Sequence, residues 1–167
     1  SLSGTGDDTL RGGDGNDYML GGDGDDTLMM DAGRDISFGG NGDDTFISID
    51  GGDNIMEAAE TEGNTFKIGN TSENGDTKIK DFWKHENNTI VTTDDNCEKD
   101  RVFTVDYLSS CKELFNVSEP VLYIRVEECV AGVYLKPEED DELGFAEKNI
   151  SEPSVQMNAK ACKTNLN

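Results

Sequence analysis

Aspartate recurs every nine residues near the start of the chain, at Asp8, Asp17, Asp26, Asp35, Asp44 and Asp53. Glycines stand two to five places before most of them, as in Gly12-Gly13-Asp14-Gly15-Asn16-Asp17 and Gly21-Gly22-Asp23-Gly24-Asp25-Asp26. Periodic carboxylates set among glycine carbonyls are suited to a hard cation, and calcium takes six to eight such oxygens. Glycine reaches φ > 0 without a Cβ clash, so this pattern describes a tight turn whose carbonyls can face inward. One such loop offers half a coordination shell. Two loops stacked one above the other complete it.

The elements that would hold these loops follow from the rest of the repeat. Each copy reads G-G-x-G-x-D-x-U-x, with U apolar, over residues 3–11, 12–20, 21–29 and 39–47. Residues 30–38 and 48–56 are degraded copies in which Met30-Asp31 and Ser48-Ile49 replace the glycine pair. The x-U-x tail allows a short strand with U inward and its neighbours outward. Nine residues then make one turn and one strand, and eighteen make a full coil. Copies one, three and five are expected to stack on one edge, and copies two, four and six on the other. The expected inward positions are Leu10, Met19, Leu28, Ser37, Phe46 and Ile55. A flexible Gly/Asp linker has a similar composition, but a linker has no reason to keep Asp in register with an apolar residue two places later. Stacked carboxylates repel, so the array is expected to be disordered without calcium and to fold on binding it.

These repeats resemble the parallel β-roll of RTX proteins, a calcium-dependent module of secreted bacterial proteases, lipases, toxins and adhesins. The resemblance implies that each ion lies between two stacked loops, held by backbone carbonyls and the sixth-place carboxylates. One set would be Gly4, Gly6 and Asp8 with Gly21, Asp23 and Asp26, and the next Gly22, Gly24 and Asp26 with Gly39, Asn41 and Asp44. The other edge would use Gly13, Gly15 and Asp17 with Met30, Ala32 and Asp35, then Asp31, Gly33 and Asp35 with Ser48, Asp50 and Asp53. This amounts to two to four Ca2+ ions, with the first edge fitting better: on the second, Arg34 adds a cation and Ser37 replaces the apolar residue. Further on, Asn64-Thr65-Phe66-Lys67-Ile68, Thr77-Lys78-Ile79-Lys80-Asp81-Phe82 and Asn88-Thr89-Ile90-Val91 are similar to the closing strands after the roll in serralysin-type proteases. Asn64 and Asn88 stand where that pattern has aspartate.

The fold expected is all-β: a calcium-loaded parallel β-roll over 1–56, closing strands over 57–95, and a cysteine-containing cap or second small domain over 96–167. In the last part Arg101 to Val105 alternates like a strand, and Tyr107 to Phe115 has helical spacing. Val121 to Val126 and Val130 to Leu135 read as two more strands, joined near Gly132 or Glu127-Glu128. Residues 138–142 form an acidic loop, and the final residues read as loose except where Cys162 ties them back.

Net charge is −22, and thirteen aspartates against two arginines leave −11 in residues 1–56. Such acidity argues against nucleic acid or anionic membrane surfaces as partners. No apolar stretch is long enough to span a bilayer. No signal peptide is visible, and the chain opens inside a repeat, so a mature form or a piece of a longer chain is expected. Cys97, Cys111, Cys129 and Cys162 are evenly numbered and widely spaced, which favours two disulfides over a zinc site, with three pairings open. Sequons stand at Asn70, Asn87, Asn116 and Asn149. Together these features point to an oxidising, calcium-rich extracellular space.

Nothing marks an enzyme. His85 is the single histidine, in an exposed-looking loop, and paired carboxylates would need separated pKa values to act as acid and base. Trp83, Phe82 and Tyr123 are candidates for stacking on sugars, but such aromatics more often pack a core. The function expected is a secreted calcium-binding module for binding, adhesion or structural interaction, with a receptor, matrix component or anionic glycan as partner. The alternative is the C-terminal secretion or targeting module of a larger secreted hydrolase, lyase or epimerase.

Overall fold

A computed structural model describes residues 2–48, 54–57, 63–69, 77–93, 98–114, 121–127, 130–136 and 160–165. The repeat array forms short strands β1 (Thr9–Arg11), β2 (Tyr18–Asp23), β3 (Thr27–Met30), β4 (Ile36–Asn41), β5 (Thr45–Ser48) and β6 (Ile55–Glu57). Beyond it run β7 (Thr65–Ile68), β8 (Thr77–Lys80), a 3-10 turn at Phe82–Lys84, and β9 (Thr89–Thr92). Then come β10 (Arg101–Thr104), α1 (Val105–Leu114), β11 (Val121–Glu127), β12 (Val130–Lys136) and β13 (Lys160–Asn165).

Alternate strands fall into two sheets, as an eighteen-residue coil requires. One sheet runs β1-β3-β5-β7-β9-β10 and the other β13-β12-β11-β8-β6-β4-β2. Pairing is parallel in register through the roll, for example Leu10↔Leu28 and Leu28↔Phe46. Period two along each strand sends alternate side chains inward. The inward row of the first sheet is Leu10, Leu28, Phe46, Phe66, Ile90 and Phe103, joined by registered pairs. The other sheet contributes Met19, Ser37, Met56, Ile79 and Leu122. All of the apolar members lie in one buried cluster. Phe46 stacks on Phe66 with ring centroids 4.9 Å apart and planes 8° from parallel. Outside, the first sheet carries a row of threonines, Thr9, Thr27, Thr45, Thr65, Thr89 and Thr104, in register across six strands.

The closing strands continue the roll instead of ending it. β7 pairs parallel with β5 and β9, and β8 pairs parallel with β6. The sheets then turn antiparallel at β9–β10 and at β8–β11, and β11, β12 and β13 extend the second sheet. Helix α1 follows β10 directly, taking Val105 from the expected strand, and buries Leu108.

Two sequence expectations are corrected and a third is narrowed. The inward residue of the sixth copy is Met56, fully buried, whereas Ile55 faces outward. Of the two places offered for the join between β11 and β12, Gly132 lies within β12, pairing with Arg125, whereas β11 ends at Glu127, in keeping with the other. Lys160–Asn165, expected to be loose, is a strand paired antiparallel with β12. Cys97, Cys129, the acidic loop and three of the four sequons (Asn70, Asn116 and Asn149) lie outside the described residues, and the side chains of Cys111, Cys162 and Tyr123 are likewise not described. No helix among the described residues is long and apolar enough to cross a membrane.

Candidate metal centre

The sixth-place residues form two ladders along the edges of the roll. On one edge the Asp8 N–H donates to Asp26 Oδ1 at 2.8 Å, the Asp26 N–H to Asp44 Oδ1 at 3.0 Å, and the Asp44 N–H to Asn64 Oδ1 at 2.8 Å. The Asn64 N–H then donates to Asn88 Oδ1 at 2.7 Å. On the other edge the Asp17 N–H donates to Asp35 Oδ1 at 2.9 Å, and the Asp35 N–H to Asn54 Oδ1 at 2.9 Å. One side-chain oxygen of each accepting residue, carboxylate or amide, is therefore spent on aligning the coils. The remaining Oδ2 atoms of Asp17, Asp26, Asp35 and Asp44 are buried and have no hydrogen-bond partner. A buried carboxylate without a partner is costly, and four in two rows mark positions where a cation is called for.

The glycines leave room for one. A Cβ added to Gly21 would lie 2.4 Å from both Asp26 Oδ2 and the Gly39 carbonyl oxygen, so these two oxygens converge on a space that only glycine leaves open. A Cβ on Gly39 would lie 2.0 Å from Asp44 Oδ2. The loops also stack closely, for a Cβ on Gly22 or Gly40 would come 2.1 or 2.0 Å from the carbonyl of Gly4 or Gly22 beneath. Gly22 and Gly40 have φ of +117° and +107°, which other residues rarely adopt.

The first expected set comes together: Asp23 N–H donates to the Gly4 carbonyl at 2.9 Å, and Gly6 N–H to the Asp23 carbonyl at 2.7 Å, with Asp8 beneath Asp26. The second does too, through Gly24 N–H to the Asn41 carbonyl at 2.9 Å and the stacking of Gly42 on Gly24. Each of these carbonyls keeps a second lone pair for a cation. In the third, Gly15 N–H donates to the Ala32 carbonyl at 2.9 Å, and Asp17 sits beneath Asp35. There Met30 stands at the place in the repeat that Gly21 and Gly39 hold, with its side chain buried in the core, and a Cβ added to Gly12 would lie 3.1 Å from Asp17 Oδ2. The first edge is thus the better cradle.

The fourth set is corrected. Asp53 and Asp50 lie outside the described residues, and Asn54, not Asp53, fills the sixth place above Asp35, a spacing of 19 residues instead of 18. The Asn54 Nδ2 donates to Ser48 Oγ at 2.8 Å, so Ser48 faces an amide. Asp31 turns its carboxylate outward to Arg11 at 2.7 Å and to the Gly13 N–H at 3.1 Å. Arg34 is exposed, its N–H donating to Asn16 Oδ1 at 3.0 Å.

Electrostatics follow burial. Desolvation pushes the Asp44 carboxyl up to about 7, against the pull of the Asp26 N–H, and the nearby Asp26, Asp25 and Asp43 carboxylates add to the rise. Burial also raises Asp35, with Asp17 and Asp31 contributing after the opposing Asp17 N–H bond. The hydrogen bond from Arg11 holds Asp31 below the usual carboxylate range. Among the described residues no cluster of three or more His, Cys, Asp or Glu side chains forms. An ion here would be held by two carboxylates and a majority of backbone carbonyls, a donor set that fits calcium.

A third ladder was missed from the sequence. Asp7, Asp25 and Asp43 hold the fifth place, exposed, and accept the N–H groups of Asp25, Asp43 and Gly63 at 2.9, 2.9 and 2.7 Å. The same eighteen-residue spacing was its signal. His85 is half-buried and its Nδ1 accepts the Asn87 N–H at 3.1 Å, while Phe82 is fully buried in the core with Trp83 packed edge-on against it.

Parallel coils with glycine turns and inward carboxylates define a calcium-binding β-roll. Residues 2–28 and 31–46 match the family model of the RTX calcium-binding nonapeptide repeat, in four copies, and this part of the chain is an RTX repeat array. No curated protein and no solved structure matches the chain.

Proposed function

We propose that the chain is a secreted, non-enzymatic module that folds on binding calcium and then presents a stiff β-roll for adhesion or structural interaction. The observation that carries this reading is the set of four buried, partnerless carboxylate oxygens within an RTX array. Ions between Asp8 and Asp26, between Asp26 and Asp44, and between Asp17 and Asp35 would neutralise them, with the intervening glycine, Asp23, Asn41 and Ala32 carbonyls completing each shell. Typical RTX modules belong to secreted proteins, and millimolar calcium outside cells suits a site built largely from carbonyls. A receptor, matrix component or anionic glycan is the class of partner this supports. Circular dichroism during a calcium titration, with native mass spectrometry to count ions, tests the coupling. Strand signal that rises with bound calcium supports it, and a fully formed roll in EDTA would count against it.

A second reading makes the module the targeting end of a larger secreted hydrolase, lyase or epimerase. The similarity of residues 64–91 to serralysin closing strands favours it. A reading frame continuing upstream into a catalytic domain would decide for this alternative.

A further inference from the structure

Above the first residue of each ladder, Asp8 and Asp17, every rung uses one side-chain oxygen to accept an N–H from the coil below, whether the residue is Asp or Asn. The rungs differ in the other atom. On Asp26, Asp35 and Asp44 it is a buried carboxylate oxygen without a partner, and Asp17, at the bottom of its edge, carries such an oxygen too. On Asn54 it is an amide nitrogen donating to Ser48 Oγ at 2.8 Å, and on Asn88 one donating to the Phe82 carbonyl at 2.9 Å. Asn54, Asn64 and Asn88 are all fully buried, and none of their polar atoms is among the partnerless ones. The change from Asp to Asn occurs on both edges, between Asp35 and Asn54 on one and, half a coil further along the chain, between Asp44 and Asn64 on the other.

We propose that Asn54, Asn64 and Asn88 are built-in substitutes for calcium, their amide N–H groups supplying the positive end that a cation supplies on the aspartate rungs. The roll is therefore two materials in one frame. The coils above the change, β7 and β9 with the strands packed on them, hold together without metal. Those below, β1 to β5, require it. Three ions follow, at Asp8/Asp26, Asp26/Asp44 and Asp17/Asp35, and none at Asp35/Asn54 or Asp44/Asn64. The inference rests on the calcium reading above and adds where the dependence stops.

Four amides with the same bond provide an internal comparison. Thr27, Thr45, Thr65 and Thr89 each donate to the carbonyl of the rung residue one coil below, Asp8, Asp26, Asp44 and Asn64, at 2.8, 2.8, 2.8 and 2.9 Å. Hydrogen exchange of the whole chain, with EDTA or with saturating calcium, reads them separately. In EDTA, Thr89 and Thr65 are expected to exchange at least tenfold more slowly than Thr45 and Thr27, and calcium should bring all four to similar protection. Equal exchange of all four in EDTA, with calcium binding intact, overturns the proposal and leaves the calcium reading standing. Failure to bind calcium at all overturns that reading instead. Two reciprocal variants sharpen the test. Asn64→Asp should strip Thr65 of its protection in EDTA, restore it with calcium, and add a fourth ion in native mass spectrometry. Asp44→Asn should remove one ion and protect Thr45 at least tenfold more in EDTA. Protection in EDTA unchanged in Asp44→Asn refutes the idea even should Asn64→Asp fail to fold.

Discussion

Replacing Asp26 by asparagine separates the alignment of the coils from their charge. Oδ1 remains to accept the Asp8 N–H, so the ladder keeps its rung. What is lost is the partnerless Oδ2 that converges with the Gly39 carbonyl. This carboxylate is shared by two proposed ions, one toward Asp8 and one toward Asp44. A contact to a charged group is worth about 1.5–3 kcal/mol, so the pair of ions loses about 3–6 kcal/mol, or roughly two to four decades of combined affinity. The sign reverses without metal. Removing one charge from a stack whose rungs stand about 4.8 Å apart relieves roughly 1 kcal/mol of repulsion per neighbour, even at the dielectric of water. Asp26→Asn is therefore expected to raise the calcium midpoint of the circular-dichroism transition at least tenfold while making the EDTA form no less structured. Asp25→Asn is the control: Asp25 is exposed, and its Oδ1 bond to the Asp43 N–H survives as an amide oxygen, so the midpoint should stay within about threefold. An Asp26→Asn midpoint equal to that of the unaltered chain would refute the assignment of Oδ2 to a cation.

Other outcomes follow from the same geometry. Because burial pushes the Asp44 carboxyl up from 3.8 to about 7, its ionisation opposes the metal-free fold; a raised carboxyl pKa favours folding in acid and withdraws that support as pH climbs from about 4 to 7. In EDTA the roll should thus be more structured at pH 4 than at pH 8, by at most about 4 kcal/mol and less where water reaches the loop, and circular dichroism at the two pH values checks it. Gly22→Ala places a Cβ 2.1 Å from the Gly4 carbonyl at a φ of +117° and should cost about 2–4 kcal/mol in the calcium-loaded melting transition, whereas Gly4→Ala meets nothing within 4 Å and should change it by under about 0.5 kcal/mol. Phe46→Ala empties the centre of the inward row and its stack on Phe66, and about 3–5 kcal/mol should be lost in chemical denaturation with calcium present.

The period of the roll was legible because its two signals, a fixed aspartate and an apolar residue two places on, are each imposed by the coil. Leu10, Met19, Leu28, Ser37 and Phe46 face inward as that spacing requires, and Thr65–Ile68, Thr77–Lys80 and Thr89–Thr92 form strands. The sixth copy misled by one residue. Asp53-Asn54 and Ile55-Met56 are two polar and two apolar neighbours, so either register satisfies the pattern, and a one-residue shift exchanges the faces. What decides it is three-dimensional: Asn54 reaches the Asp35 N–H with one atom and Ser48 with the other, and Met56 lies between Ser37 and Ile79. Asn64 and Asn88 read from sequence as departures from aspartate, since nothing in the chain tells which partner their amides meet. Lys160–Asn165 alternates too weakly to announce a strand and owes its place to pairing with β12.

Crystals grown with calcium and measured near an energy where calcium scatters anomalously test the metal assignment most directly. Peaks are expected between Asp8 and Asp26, between Asp26 and Asp44, and between Asp17 and Asp35, each within about 2.3–2.6 Å of a carboxylate oxygen. An ordered roll with no peak at Asp26 Oδ2 or Asp44 Oδ2, calcium being plentiful, would contradict it.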